Sequence, residues 1–287
     1  MSIILKKNKN LVYPGLTWFF IFFMLPLTII LIYSITERSL ITGEPLKLTF
    51  ENFIQIFQRK HYLVIFLRSL KISFFTTIIS IVFSYPVAYF LAKRTRFDKI
   101  LIVALMVPFW INYLIRTFAW KLILSENGIL NQMLMGLHII DEPLRIMYTQ
   151  TSVLLGLVYT YTPMMVLPLY ASLLRIDDSL IEASLDLGAS RARAFFDITF
   201  KLSLTGIFAG TLLVFIPALG SFAIPAILGG TDSVMIGNLI ENQFNMVGNW
   251  NVGSAFTLSL AVLSIVLVLF YSKIFGLESI YRNRGTV

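Results

Sequence analysis

The chain has no cysteine. Disulfides and thiolate chemistry are thereby excluded, and the redox compartment stays undetermined. Histidine is almost absent: His61 and His138 both fall in stretches expected to be loops. With no Cys and no carboxylate cluster at ligand spacing, a metal site is disfavoured and both read as surface histidines. No G-x-x-x-x-G-K-[ST] phosphate loop occurs, so the chain does not bind ATP in that way. No G-x-S-x-G occurs either, and an intramembrane Ser-His hydrolase has little support. Charge is scarce too. Charged residues make up 13% of the 287, where a soluble domain carries about 25%.

What fills the chain instead is apolar. Hydrophobic residues reach 57% and the mean hydropathy is +0.81. A bilayer core needs roughly 20 apolar residues per helix, and six stretches meet that need: about 11–35, 72–92, 100–124, 148–174, 203–229 and 252–275. The expected fold class is therefore an all-α integral membrane protein with six transmembrane helices in one domain. The first stretch is too long for a signal-peptide h-region and lacks a small-residue cleavage site, so it reads as an uncleaved helix. The polar segment Thr36 to Arg68 has room for a short surface helix. The net charge of +8 fits basic loops facing anionic lipid. It does not point to nucleic acid, because no soluble basic domain carries it.

Basic residues orient the chain. With the N-terminus inside, the inner segments hold Lys6, Lys7, Lys9, Lys93, Arg94, Arg96, Lys99, Arg175, Arg191, Arg193, Lys201, Lys273, Arg282 and Arg284. The outer ones hold Arg38, Lys47, Arg59, Lys60 and Arg145. Fourteen against five places both termini in the cytoplasm.

A polar insert at about 175–201 interrupts the fourth and fifth spans. Ser179 to Glu182 reads as a capping box. Gly188 suits a left-handed helix end, and Ser190 suits the start of a second helix. The result is a short, rigid helical knob at the cytoplasmic surface. An interfacial amphipathic helix without a partner explains the same residues equally well.

Further pointers lie inside the spans. Arg116 is a basic residue well within the third. An arginine there costs about 2.5–3.5 kcal/mol on insertion scales. It is expected either to pair with Glu241 or a partner-chain carboxylate, or to snorkel to the outer interface. Direct contact with a polycation is disfavoured, since like charges repel. Trp110, Tyr113, Tyr159 and Tyr161 offer aromatic faces that attract ammonium groups by about 0.5–2 kcal/mol, although span aromatics are more often packing. Trp110 stands out because Pro108 and Asn112 flank it, as at a cavity wall. Pro163, Pro217 and Pro225 are expected to break the fourth and fifth spans. Gly206 and Gly210 form a GxxxG whose simplest role is close helix packing.

The insert resembles the EAA loop of ABC importer permeases. Glu182, Ala183, Gly188 and Ile198 stand at that motif's spacings, while Ser184, Phe200 and Lys201 depart from it. Val107-Pro108-Phe109-Trp110, Leu114-Ile115-Arg116-Thr117, Val166-Leu167-Pro168-Leu169-Tyr170, Phe215 to Gly220 and Ile236 to Ile240 are similar to the permease subunits of spermidine/putrescine importers, the PotB type. The resemblance runs from about the second span to the sixth. It implies a type I ABC importer permease fold and polyamine uptake in a bacterial inner membrane. It also implies three kinds of partner: a second six-span permease, a homodimeric ATPase that uses the ATP, and a periplasmic or lipid-anchored binding protein. No cofactor is expected on this chain. Under the resemblance Glu182, Ala183, Ser184, Leu185, Gly188 and Ala189 dock the ATPase. Trp110, Asn112, Tyr113, Tyr161 and Glu241 are the substrate-pathway candidates. Ala226 stands where such permeases often show an acidic residue, so cation selection would fall to the partner permease, the binding protein or Glu241. An importer for another small solute and an ATPase-independent carrier are the alternatives. The second would call for intramembrane carboxylates, which the uncharged runs lack.

Overall fold

The computed structural model describes residues 9–37 and 47–274. Among these the chain is helical, apart from an isolated bridge between Thr36 and Leu48. The elements are α1 Lys9–Phe19, α2 Leu25–Ser34, α3 Glu51–Gln58, α4 Lys60–Lys93, α5 Asp98–Met106, α6 Tyr113–Leu124 and α7 Ile129–Gly136. They continue with α8 Gln150–Leu174, α9 Asp178–Asp186, α10 Arg191–Ala194, α11 Lys201–Leu219, α12 Ala223–Leu228, α13 Ile236–Asn245 and α14 Trp250–Ile274. Lys6, Lys7, Arg38, Arg282, Arg284 and Phe275 lie outside the described residues.

Among the described residues five helical stretches are long and apolar enough to cross a membrane, and six if a bent pair counts as one span. That pair is the third expected span. Residues Asp98–Trp110 and Tyr113–Gly136 meet at 86° instead of running straight. The cause is local. Val107–Trp110 tightens to a 3-10 turn with Pro108 at its start, Ile111 is extended, and Asn112 Oδ1 accepts the Leu114 N–H at 2.8 Å to begin α6. The second span is longer than its apolar run, because α4 extends back to Lys60 through Arg68. The short helix expected after the first span is α3.

The expected break at Pro163 is absent. α8 runs unbroken through Pro163 and Pro168, with the Thr162 hydroxyl bonded to the Val158 carbonyl at 2.6 Å. Proline inside a helix is tolerated in membrane spans where neighbouring helices pack around it. Pro217 sits near the end of α11, and Pro225 lies inside α12.

The described chain forms two compact units. The smaller comprises the described residues up to 63 and those from 239 to 267, the larger 64–238 and the described residues from 268 onward. In the smaller unit, Asn251 Nδ2 donates to the Tyr33 and Thr36 carbonyls at 2.9 and 2.7 Å. Asn52 Nδ2 reaches the Ser34 and Thr36 carbonyls at 3.0 and 2.9 Å. Two amides thus hold the end of α2, whose last carbonyls have no helical partner.

In the larger unit α8 is the central element. Gly206 and Gly210 of α11 lie against it: a Cβ on Gly206 would stand 2.6 Å from the Pro168 oxygen. The GxxxG is therefore a close-packing device. α4 presents Ser69, Ser73, Thr76, Thr77, Ser80 and Ser84, all buried. They recur at helical spacing on one face. Ser84 Oγ donates to the Thr162 carbonyl at 3.0 Å, and Thr162 Oγ1 to Ser80 Oγ at 3.2 Å. Small polar residues let helices approach closely where apolar side chains gain nothing over lipid. One apolar cluster joins Ala88 and Leu91 of α4, Met165, Leu169 and Leu173 of α8, and Val214 of α11.

Candidate functional site

Two places carry chemistry, both in the larger unit. The first is a cavity of about 660 Å³ lined by residues of the bend, α6, α8 and the turn after α11. Trp110, Asn112, Tyr113 and Tyr161 all line it, with Phe109, Arg116, Thr160, Ser221 and Phe222. The 86° bend positions the first three. It ends one helix at Trp110, which is 82% exposed, and starts the next with the Asn112 cap. Tyr161 spans to the opposite wall, donating to the Pro217 carbonyl at 3.2 Å.

The Gly220–Phe222 turn forms that wall and is backed from behind. Asn238 Nδ2 donates to the Phe222 carbonyl at 2.6 Å. Gly237 lies so close to the Gly220 and Ser221 carbonyls that a Cβ would stand 2.6 and 2.5 Å away. Gly237 and Asn238 thus shape the cavity without lining it. Glu241 is not among the lining residues. It belongs to the smaller unit, where it accepts from Asn245 Nδ2 at 3.2 Å. Ala226 is exposed on α12 and is not among the lining residues.

Arg116 departs from the snorkelling expectation. It is 9% exposed, so it does not snorkel, and among the described residues it makes no ion pair. Its guanidinium carbon lies over the Phe109 ring at 5.0 Å and the Tyr159 ring at 5.9 Å. Tyr159 in turn meets Trp120 edge-on at 5.3 Å.

The second place is the helical knob. Its start differs from the capping box expected at Ser179. Asp177 is the cap, accepting the Ser179 N–H at 3.0 Å. That bond, the Ser179 hydroxyl and nearby Lys93 hold the Asp177 carboxyl below its ordinary range. The other end is as read. Gly188 has φ +84°, a conformation that disfavours a Cβ. Ser190 Oγ accepts the Arg193 N–H at 3.3 Å and starts α10. Glu182, Ala183, Leu185 and Gly188 are exposed, and Ser184 and Ala189 half-buried. Leu187, at 90% exposure, is the most open apolar side chain of the knob.

Two residues that fix the knob were not singled out in the sequence. Lys93, the last residue of α4, donates to the Ile176 carbonyl and to Asp178 Oδ1, each at 2.6 Å. Asp98, the first of α5, accepts from the Tyr170 hydroxyl of α8 at 2.5 Å. The turn between α4 and α5 is thereby pinned on both sides to the segment that leads into α9. No metal site competes for attention: among the described residues no three His, Asp or Glu side chains gather.

Several apolar helices, a cavity walled by a broken span and an exposed capped knob define a membrane transport subunit. Residues 67–275 match the family described as binding-protein-dependent transport system inner membrane component, and the chain belongs to that family. It is 38% identical over 268 residues to the spermidine/putrescine transport system permease protein PotB of Salmonella typhimurium (strain SL1344), covering 93% of each chain. Against the PotB of Haemophilus influenzae (strain ATCC 51907 / DSM 11121 / KW20 / Rd) the identity is 36%, covering 93% of this chain and 94% of that one. It is also 31% identical to the inner membrane ABC transporter permease protein YdcU of Escherichia coli (strain K12), covering 80% and 77%. A solved bacterial alginate ABC transporter, in complex with an alginate pentasaccharide-bound periplasmic protein, shares the fold. Its TM-score is 0.74 at 16% identity, covering 96% of each chain. The fold is that of type I ABC importer permeases.

Proposed function

We propose that the chain is the permease subunit of an importer for spermidine and putrescine, working by ATP-driven alternating access. The similarity to two PotB proteins over more than nine-tenths of the chain carries this reading. ATP is bound and split by a separate, homodimeric ATPase. A second six-span permease completes the pathway, and a periplasmic or lipid-anchored protein delivers the solute. Both termini face the cytoplasm, following the distribution of basic residues. The Asp178–Asp186 helix then faces the ATPase, and the cavity holding Trp110, Asn112, Tyr113 and Tyr161 lies on the solute's route. The broad exposure of the first span, with Trp18 at 66% and Phe22 at 59%, supports a helix made for lipid and a partner permease.

Reconstitution tests the proposal. The chain, co-expressed with a partner permease, ATPase and binding protein, is expected to import labelled putrescine and spermidine into vesicles in an ATP-dependent manner. Import of neither solute by an assembled, ATP-hydrolysing complex would refute the substrate assignment. Import without any ATPase would refute the mechanism.

A further inference from the structure

The fixed charge in the cavity wall has the wrong sign for a polycation. Arg116 lines the cavity, and none of the lining residues is Asp or Glu. Its side chain is nine-tenths buried. Its buried Nε has no hydrogen-bond partner among the described residues, and it makes no ion pair among them. A guanidinium does not lose its proton in a protein, so the charge is permanent. Such a charge, buried without a counter-ion, is strongly disfavoured. Here two ring faces stabilise it, Phe109 at 5.0 Å and Tyr159 at 5.9 Å, because the negative face of a ring attracts a cation. Aromatic faces of this kind are what a substrate ammonium would seek.

We propose that Arg116 is a resident cation of the transport cavity. It occupies the Phe109 and Tyr159 faces and repels the ammonium groups of a polyamine, so that the cavity passes a polycation without retaining it. This inference rests on the polyamine reading above. Its logic is that of any conduction site: binding must be favourable enough to enter and weak enough to leave. Selective capture belongs to the binding protein, which leaves the cavity the task of release. Repulsion scales with the charge on the solute, so a trication feels Arg116 more than a dication does. A purely structural arginine would show no such ranking.

The test uses the assembled complex with Arg116→Gln, and Arg116→Met as a second neutral variant. Equilibrium binding of labelled spermidine and putrescine is measured without binding protein, and maximal uptake with it in excess. The neutral variants are expected to bind spermidine about tenfold more tightly than wild type and putrescine about threefold, with slower maximal uptake of both. Arg116→Lys keeps the charge and is expected to keep the weak, wild-type affinities. Neutral variants within twofold of wild type for both solutes, or tightened equally for both, would overturn the proposal. If neither neutral variant assembles, Arg116→Lys decides: wild-type affinities for both solutes support the resident cation, and altered ones overturn it. Wild-type complex that imports neither solute overturns the polyamine reading and this inference together. Wild-type import of both with an unaltered Arg116→Gln overturns the inference alone.

Discussion

Trp110 combines the greatest exposure in the cavity wall with a rigid support. Pro108 and the Asn112 cap fix the backbone on both sides of it. If its ring meets the passing cation, Trp110→Ala should reduce uptake about tenfold, within the range of a cation–π contribution. Trp110→Phe keeps a ring and should lose less. Vesicle uptake at wild-type rate in both variants would leave Trp110 as packing alone. Gly188 is tested by a different property, its positive φ. No atom lies within 4 Å of a Cβ built there, so the chain itself leaves room and backbone strain of about 1 kcal/mol is the internal cost. Gly188→Val should weaken ATPase co-purification and binding-protein-stimulated hydrolysis. Gly188→Asn, which tolerates left-handed backbone better, should retain more of both. Full stimulation in the valine variant would place the docking surface elsewhere. Gly188 and Ser190 were readable in advance because their constraints are local, a sign of φ and one hydroxyl. Asp177 was missed because two candidate caps stood two residues apart, and the backbone turn chose the earlier one.

Among the elements, α9 moves only with what holds it, and Lys93 holds it. The pair with Asp178 is two-thirds exposed on the acid side, with Asp178 at 69%. Its contribution to stability is therefore small, below about 1 kcal/mol. Its geometric effect is larger, since the same ammonium also ties down the Ile176 carbonyl. Lys93→Met should leave the complex assembled and lower stimulated hydrolysis about threefold relative to unstimulated. Adding Asp178→Asn should bring little further loss, because both remove one contact. Fully additive losses would show that Lys93 acts on something other than the knob. This pair joins residues 85 apart in sequence, and no local pattern announces it. The serine and threonine stripe of α4 is the opposite case. Its spacing is local and marks a buried face, on which Ser80 and Ser84 meet Thr162 of α8. The bend of the third span lay between these extremes. Pro108 and Asn112 signalled a disturbance, while its 86° size depends on Ile111 being extended.

For the molecule as a whole, hydropathy was enough to specify a multi-span helical protein, because lipid forces every backbone group into internal hydrogen bonds. Proline was a divided signal: in α8 it sits inside an unbroken helix, whereas Pro108 opens the bend and α11 ends two residues after Pro217. One feature of the larger unit bears on how such a chain tolerates change. Between α10 and α11 the helix passes through a π turn at Phe195–Phe200, which accommodates an extra residue within one turn. Each residue advances an α-helix by about 100°. The short helix at the knob and the long one in the membrane therefore keep separate angular phases. A one-residue change within 195–200 would re-aim Arg191 and Arg193 while Gly206 and Gly210 stayed in step with α8. Knob and span are geared to each other with a phase that can be reset, so the face the knob presents can diverge while the membrane packing stays as it is.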